Sequence, residues 1–499
     1  LQEEKTNRPY KVLKHKLNDN QLNDELIFHE MDELYNLSVS KSKSKEYVFI
    51  SSSSSNTSEQ YFIKMNDTAL ALNLFYPREL NHEYYITHVN DKFYVLTNHK
   101  APNKRLVVVD TADYAMKKWK EVVPHNNEVF INNFELFDNH IVIHEKEDAQ
   151  PRLRVINLTT QKDHIIKFKE DIYSVSIGYN PDFNTDTLQF SYSSFLTPNT
   201  IYNYNMETQE KIIVKRRKWK ENKYSPFKVE RIWATAKDGK KIPITLFYSK
   251  WISSNKKDPE KNKVWLTSYG SYGASQEVGF NTSLFPLLNR GFIYAIAHIR
   301  GGNDLGEEWY LDGKMLNKKN TFTDFITCSE YLIEKEYVTK GNITIQGGSA
   351  GGLLMGAVAN MRPDLYKAIV LDVPFVDVVN TMLDDKLPLT TGEYEEWGNP
   401  NKKKDYEYIK SYSPYDNVTQ QNYPPMFFFT GLNDSRVGYW EPAKMVAKLR
   451  EYKTDNNILL LKTNLHSGHG GDSGRYSSYK DLAMKYAIIF ELYKNSYLK

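Results

Sequence analysis

A single cysteine, Cys328, in 499 residues excludes an internal disulfide framework. That scarcity fits a reducing compartment, so a cytoplasmic location is expected. The residue falls in the helix-patterned run 321–334, where a small buried apolar side chain is the ordinary reading. No long uncharged apolar stretch is present, and the mean hydropathy of −0.60 agrees, which excludes an α-helical membrane span. No signal-peptide pattern is visible, although the chain opens on Leu1 rather than Met. Nor does one charge dominate. Lys and Arg number 65 against 62 Asp and Glu, a formal +3 spread along the chain, so neither nucleic acid nor an anionic membrane is an expected partner. The basic run Lys215-Arg216-Arg217-Lys218, with Lys220, is short and reads as a solvated strand end.

The chain is long enough for two or three domains, and its two halves are built differently. The first holds short alternating runs rich in Tyr, Phe, Val and Ile, and they repeat. Tyr47-Val48-Phe49-Ile50 precedes Tyr61-Phe62-Ile63-Lys64, and corresponding pairs begin at Phe93, Ile141 and Leu188, in steps of 46, 48 and 47 residues. A further apolar run closes each unit (70–75, 119–123, 165–168 and 212–214). A repeat of this length with about four strands marks the blades of a β-propeller; a β-sandwich with coincidental spacing is the alternative. The runs 10–15 and 26–29 match only the last two strands of a unit, so the chain is expected to begin within a blade. Residues 1–222 then form an incomplete propeller of about four blades plus part of one, read as a truncation. After Lys223 a hairpin pattern (229–236 and 242–248 around Asp238-Gly239) leads into alternating strands and helices. Strands are expected at 264–268, 292–297, 343–346, 369–373, 426–430 and 458–462, with helices at 322–334, 352–361, 441–452 and 479–492. That pattern describes a doubly wound, mostly parallel α/β domain over 223–499, with functional residues beyond its C-terminal strand ends.

Gly347-Gly348-Ser349-Ala350-Gly351 stands between such a strand and such a helix. G-x-S-x-G occurs by chance in many chains, but strand before and helix after is the setting of a nucleophile elbow, which lifts the serine clear of the sheet. A reactive serine needs a base, and the base needs an orienting group. Asp434 follows the strand at 426–430. His469, flanked by Gly468 and Gly470, follows the strand at 458–462. His466 lies in the same loop without that backbone freedom and reads as a surface residue. The order Ser349, Asp434, His469 is that of an α/β-hydrolase.

Further motifs carry a resemblance to the prolyl oligopeptidase family of serine peptidases. They are Tyr269-Gly270-Ser271-Tyr272-Gly273, His298-Ile299-Arg300-Gly301-Gly302, 320–325, Val373-Pro374-Phe375-Val376-Asp377, 391–400 and Gly468-His469-Gly470-Gly471. They span essentially all of the second half; the propeller half matches more weakly. The resemblance implies an α/β-hydrolase domain behind a seven-bladed propeller, whose first blades and preceding segment this chain lacks. It implies hydrolysis of short peptides through an acyl-enzyme, with no cofactor or metal, in a monomer or weak oligomer. An oxyanion would be held by the Ala350 N–H and a tyrosine hydroxyl, assigned to Tyr272 with Tyr269 as the alternative. Cleavage after Arg or Lys would follow from Glu393 and Glu395, with Phe375 stacking on the guanidinium; a solvated acidic loop is the plain alternative. Arg436 would bind the substrate backbone carbonyl, unless it pairs with Asp434 or another loop carboxylate. Two acidic positions that favour a second basic residue read Glu277 and Gly279, so a dibasic preference is not implied. A post-proline peptidase and a poorly active peptide-binding fragment are the competing readings.

Overall fold

The computed structural model describes residues 1–3, 6–219, 227–250, 252, 259–474 and 476–494. Lys220 and the expected boundary at 222/223 lie outside the described residues. The N-terminal half forms four four-stranded antiparallel meanders, each joined in sequence order. The first runs Asn36–Lys41, Tyr47–Ser53, Ser58–Lys64 and Asn73–Tyr76; the others begin at Tyr84, Val129 and Ser174. A two-stranded sheet, Lys11–Lys14 with Glu25–His29, precedes them. The repeat read from sequence is therefore one strand out of phase. Tyr47, Phe93, Ile141 and Leu188 all lie in the second strand of a blade. The strand ahead of Tyr47, Asn-Leu-Ser-Val-Ser-Lys, buries only Leu37 and carries little apolar signal.

Strand alternation explains why the blades stack. Ile50 and Ile63 pack back toward Val12, Ile27 and Phe28 of the two-stranded sheet. Their sequence neighbours Phe49 and Phe62 point the other way, onto Ile86, Phe93 and Val107 of the next blade. The same two-sided packing joins the second blade to the third and the third to the fourth. Each of the first three blades thus buries its two faces only against neighbours. The strand Lys211–Arg216 is exposed along its length, as expected for the basic run at its end.

The C-terminal half is one eight-stranded sheet: β1 (Phe227–Thr235), β2 (Lys241–Ser249), β3 (Lys263–Thr267), β4 (Phe292–Ala297), β5 (Ile343–Gly348), β6 (Tyr366–Asp372), β7 (Met426–Gly431) and β8 (Leu459–Asn464). Its spatial order is β1-β2-β4-β3-β5-β6-β7-β8. β1, β2 and β4 pair antiparallel, and the remaining pairs are parallel. Helices Lys319–Glu334, Ala350–Met361 and Trp440–Tyr452 cover one face, against Leu266, Ile345 and Leu371. The helix Ser477–Lys494 covers the other through Tyr486, Ile489 and Tyr493, against Trp265 and Val370. This is an α/β-hydrolase sheet, and consecutive residues of its parallel strands enter different cores, which explains their unbroken apolar runs. Among the described residues no helix is long and apolar enough to cross a membrane.

Candidate active site

The elbow is formed by backbone strain supported from both sides. Ser349 sits at φ 57°, ψ −121°, between β5 and the helix that starts at Ala350. A non-glycine residue is uncommon there and persists only when its surroundings impose it. They do: the Ser349 N–H donates to Asp372 O at 2.9 Å, and its carbonyl accepts from Phe375 N at 3.1 Å. A Cβ on Gly347 would meet Gly351 O at 2.3 Å, so the tight return of the chain requires glycine. The N–H of Ala350 opens the helix, where early donors lack intrahelical acceptors.

Asp434 and His469 meet across two loops at the same sheet edge. His469 Nδ1 lies 2.8 Å from Asp434 Oδ2 and 3.0 Å from Oδ1. Asp434 Oδ1 also accepts the N–H groups of Arg436 and Val437, each at 2.9 Å. The carboxylate is thus held by backbone, and its side chain is fully buried. The loops approach so closely at Gly431 that a Cβ there would meet Ser467 O at 2.5 Å and Gly468 O at 2.8 Å. Asn433 N donates to Ser467 O at 3.1 Å, locking the pair. His466 is exposed, as expected. Among the described residues Ser349 makes no hydrogen bond to His469. The Tyr269 hydroxyl faces Ser349 across a cavity that both line, and burial raises its pKa while the serine opposes the rise.

That placement corrects the expectation for Tyr272. Its hydroxyl donates to Glu393 Oε2 at 2.8 Å, so it is committed to the carboxylate rather than to Ser349. Tyr269 lies two residues past the end of β3, the strand-end position at which Ser349 and Asp434 also occur. The turn that follows carries Tyr272, at φ 59°, away from it. A buried lysine that sequence reasoning missed braces this turn: Lys318 Nζ donates to Gly270 O at 2.6 Å and Ser271 Oγ at 2.8 Å. Burial pushes its pKa down to about 8. Glu396, also missed, accepts from Tyr272 N at 2.9 Å and from Tyr310 Oη at 2.6 Å. Neither carries a sequence signal, because their partners come from distant segments.

Ser349, Ala350 and Tyr269 open onto a cavity of about 530 Å³ whose wall includes Phe375, Glu393, Trp397 and Arg436. Phe375 is buried and its ring stands 5.3 Å from that of Trp397. Glu393 Oε2 accepts from Tyr272 Oη and from Trp397 Nε1 at 2.9 Å. Burial raises its pKa, the two donors oppose that rise, and the Glu396 charge adds to it. Glu395 does not line this cavity, a second correction. Residues 394–397 form a helical turn, and at about 100° per residue positions 393, 396 and 397 share a face while 395 points away. Glu395 Oε2 instead accepts the N–H of Ser55 in the propeller at 3.0 Å. Arg436 is exposed on the cavity wall, and its guanidinium makes no ion pair among the described residues. Glu277 is elsewhere, beside Lys146 and Asp304 where propeller and sheet meet, and Gly279 faces Ser193 Oγ at 4.0 Å from its notional Cβ.

Comparison with known proteins agrees with this architecture. Residues 1–217 match the N-terminal β-propeller domain of prolyl oligopeptidase, and residues 278–496 match the prolyl oligopeptidase family. The chain is 43% identical over 470 residues to dipeptidyl aminopeptidase BI of Pseudoxanthomonas mexicana, covering 94% of this chain and 64% of that protein. It is 41% identical to Protease 2 of Moraxella lacunata, covering 97% of this chain and 69% of that one. The chain therefore spans about two thirds of the length of these relatives. Oligopeptidase B from Trypanosoma brucei, solved with covalently bound antipain, superimposes with a TM-score of 0.92 at 37% identity, covering 98% of this chain and 70% of that one. With both halves matched and 41% identity to a relative of which it covers 69%, the chain belongs to the prolyl oligopeptidase family.

Proposed function

We propose that this chain acts as a serine peptidase that cleaves short peptides on the carboxyl side of Arg or Lys. Ser349 Oγ attacks the scissile carbonyl while His469 accepts its proton; His469 passes that proton to the leaving amine as the C–N bond breaks, then takes one from the water that attacks the acyl-enzyme and returns it to Ser349 Oγ. Asp434 engages Nδ1, which leaves Nε2 as the basic nitrogen and supports the imidazolium as it forms. The observation that carries this reading is the Asp434–His469 pair at the sheet edge where Ser349 is held in a strained elbow. The missing Ser349–His469 hydrogen bond is one that closes in the Michaelis complex, as is common in enzymes without substrate. The developing oxyanion is bound by the Ala350 N–H and the Tyr269 hydroxyl, donors that need no reorganisation during the reaction.

Glu393 supports the choice of a basic side chain. Of the two carboxylates on the cavity wall among the described residues, Asp434 is engaged by His469, and Glu393 sits in an aromatic lining of Phe375, Trp397 and Tyr272 suited to the stem and plane of a guanidinium. A pocket for proline needs no such charge. Arg436 donates to the substrate backbone, since it has no carboxylate partner of its own. One relative is named dipeptidyl aminopeptidase BI, which makes release of dipeptides from a free N-terminus the second reading. The test is a set of fluorogenic peptides with Arg, Lys or Pro before the leaving group, each with a blocked and a free N-terminus. Hydrolysis of blocked Arg and Lys peptides is expected. Equal or faster release after Pro overturns the Arg/Lys assignment, and a strict need for a free N-terminus favours the second reading.

A further inference from the structure

A second cluster of polar side chains lies far from Ser349 in the chain, where the first two blades of the propeller join. The connection from Asn73–Tyr76 to Tyr84–Val89 turns at Glu79-Leu80-Asn81-His82, closed by His82 N donating to Glu79 O at 2.9 Å. Asn81 takes the left-handed conformation this turn requires, at φ 64°. Glu79 and His82 thus stand at the two ends of one turn. His99 comes from the loop after the strand Lys92–Thr97, and its ring centroid is 5.4 Å from that of His82. One ligating atom from each of Glu79, His82 and His99 lies within 4.8 Å of the other two.

His82 is the informative member. It is only 4% exposed, and its Nδ1 is buried without any hydrogen-bond partner. Its Nε2 lies 2.9 Å from Thr97 Oγ1, a buried hydroxyl that already accepts the N–H of His99 at 3.0 Å. In the tautomer where Nε2 donates to that oxygen, Nδ1 keeps a bare lone pair, and a fixed outer partner of this kind is how a ligating imidazole is oriented. An unpaired buried nitrogen is costly unless something fills the position. Glu79 is exposed and His99 half-buried, so both can rotate inward to the roughly 3.4 Å separations of a tetrahedral ion.

We propose that Glu79, His82 and His99 form a divalent transition-metal site, suited to zinc, at the junction of the first two blades. Two imidazoles and one carboxylate are a zinc donor set, with water in the fourth position. The ion would tie the connection between the two blades to the loop after Lys92–Thr97, adding to links such as Gln60 Nε2 donating to Tyr84 O at 2.8 Å. It would also stiffen the stretch from Asn98 to Lys104, in which Asn103 Oδ1 accepts the N–H of Glu307 in the catalytic half at 2.9 Å. The other three-residue cluster among the described residues, His140 with Asp186 and Glu207, has one imidazole, and its Nε2 is already hydrogen-bonded to Glu207 at 2.9 Å.

The test is zinc titration of the chelator-stripped chain in competition with a chromophoric chelator, with X-ray absorption of the loaded protein. One equivalent of zinc with two imidazole ligands is expected. Glu79→Gln and His99→Gln, at accessible positions that leave the core intact, should each weaken binding at least tenfold. Glu207→Gln and His469→Gln should not. Failure to bind zinc, binding indifferent to Glu79→Gln and His99→Gln, or loss of the zinc in Glu207→Gln or His469→Gln would each overturn the proposal.

Discussion

Replacing Glu393 by Gln tests the recognition of a basic side chain where the geometry is most explicit. Glu393 Oε2 already accepts from Tyr272 and Trp397, which leaves Oε1 for an incoming cation. At about 4 Å and an effective dielectric of about 20, that attraction amounts to about 4 kcal/mol. Stripping water from both ions offsets part of it, leaving about 2–3 kcal/mol. At about 1.4 kcal/mol per factor of ten, Glu393→Gln should lower kcat/KM for an Arg substrate about 30- to 150-fold. A norleucine substrate of similar length should be hardly affected. The ratio of the two kcat/KM values, measured against pH, also cancels every catalytic ionisation that both substrates share. Burial raises the Glu393 pKa, so the carboxylate is ionised above a value higher than that of an ordinary glutamate and neutral below it. Preference for Arg should therefore be full above that raised value and fade as the pH falls through it. In Glu393→Gln the ratio should be low and flat. Arg preference within threefold of the parent in that variant, or an unchanged pH dependence of the ratio, would refute the reasoning.

The two tyrosines of the 269–272 turn should separate cleanly. Tyr269→Phe removes the hydroxyl at Ser349 and should lower kcat about 10²- to 10³-fold, read in steady-state and burst kinetics. Tyr272→Phe should keep kcat for a norleucine substrate within about tenfold while weakening discrimination for Arg, because it removes a donor from Glu393. Gly431→Ala forces a Cβ against Ser467 O and Gly468 O. Backbone cannot yield as a side chain would, so a cost of about 1–3 kcal/mol in stability and a marked fall in kcat are expected, measured by thermal unfolding and by turnover.

Much of this arrangement was legible in the sequence, and the failures have physical causes. The strands ahead of Ser349 and Asp434 are buried on both faces, so their apolar runs are continuous and their ends sharp, whereas the strand ahead of His469 lies at the sheet edge and is marked by its leucines alone. Phe292–Ala297 was placed to the residue. The propeller period was clear because the second strand of every blade buries aromatic and branched side chains. Its phase was not, because the first strand of the first blade, Asn36–Lys41, is largely polar. Glu395 was misassigned for a conformational reason: two residues apart on an extended segment would share a face, whereas the helical turn 394–397 sets them on opposite sides. Tyr269 is favoured over Tyr272 by its place two residues past a strand end and by the Tyr272–Glu393 hydrogen bond, which the sequence neighbours of either tyrosine do not disclose. Lys318 and Glu396 left no trace, since a buried polar group is defined by partners remote in sequence.

The central claim is that Ser349 is a nucleophile driven by His469. The most direct measurement is reaction with a fluorophosphonate probe, followed by mass spectrometry to locate the adduct and by the labelling rate in His469→Ala. A single adduct on Ser349, absent in Ser349→Ala and strongly slowed in His469→Ala, is the predicted result. An adduct on another residue, or a rate indifferent to the imidazole, would contradict it.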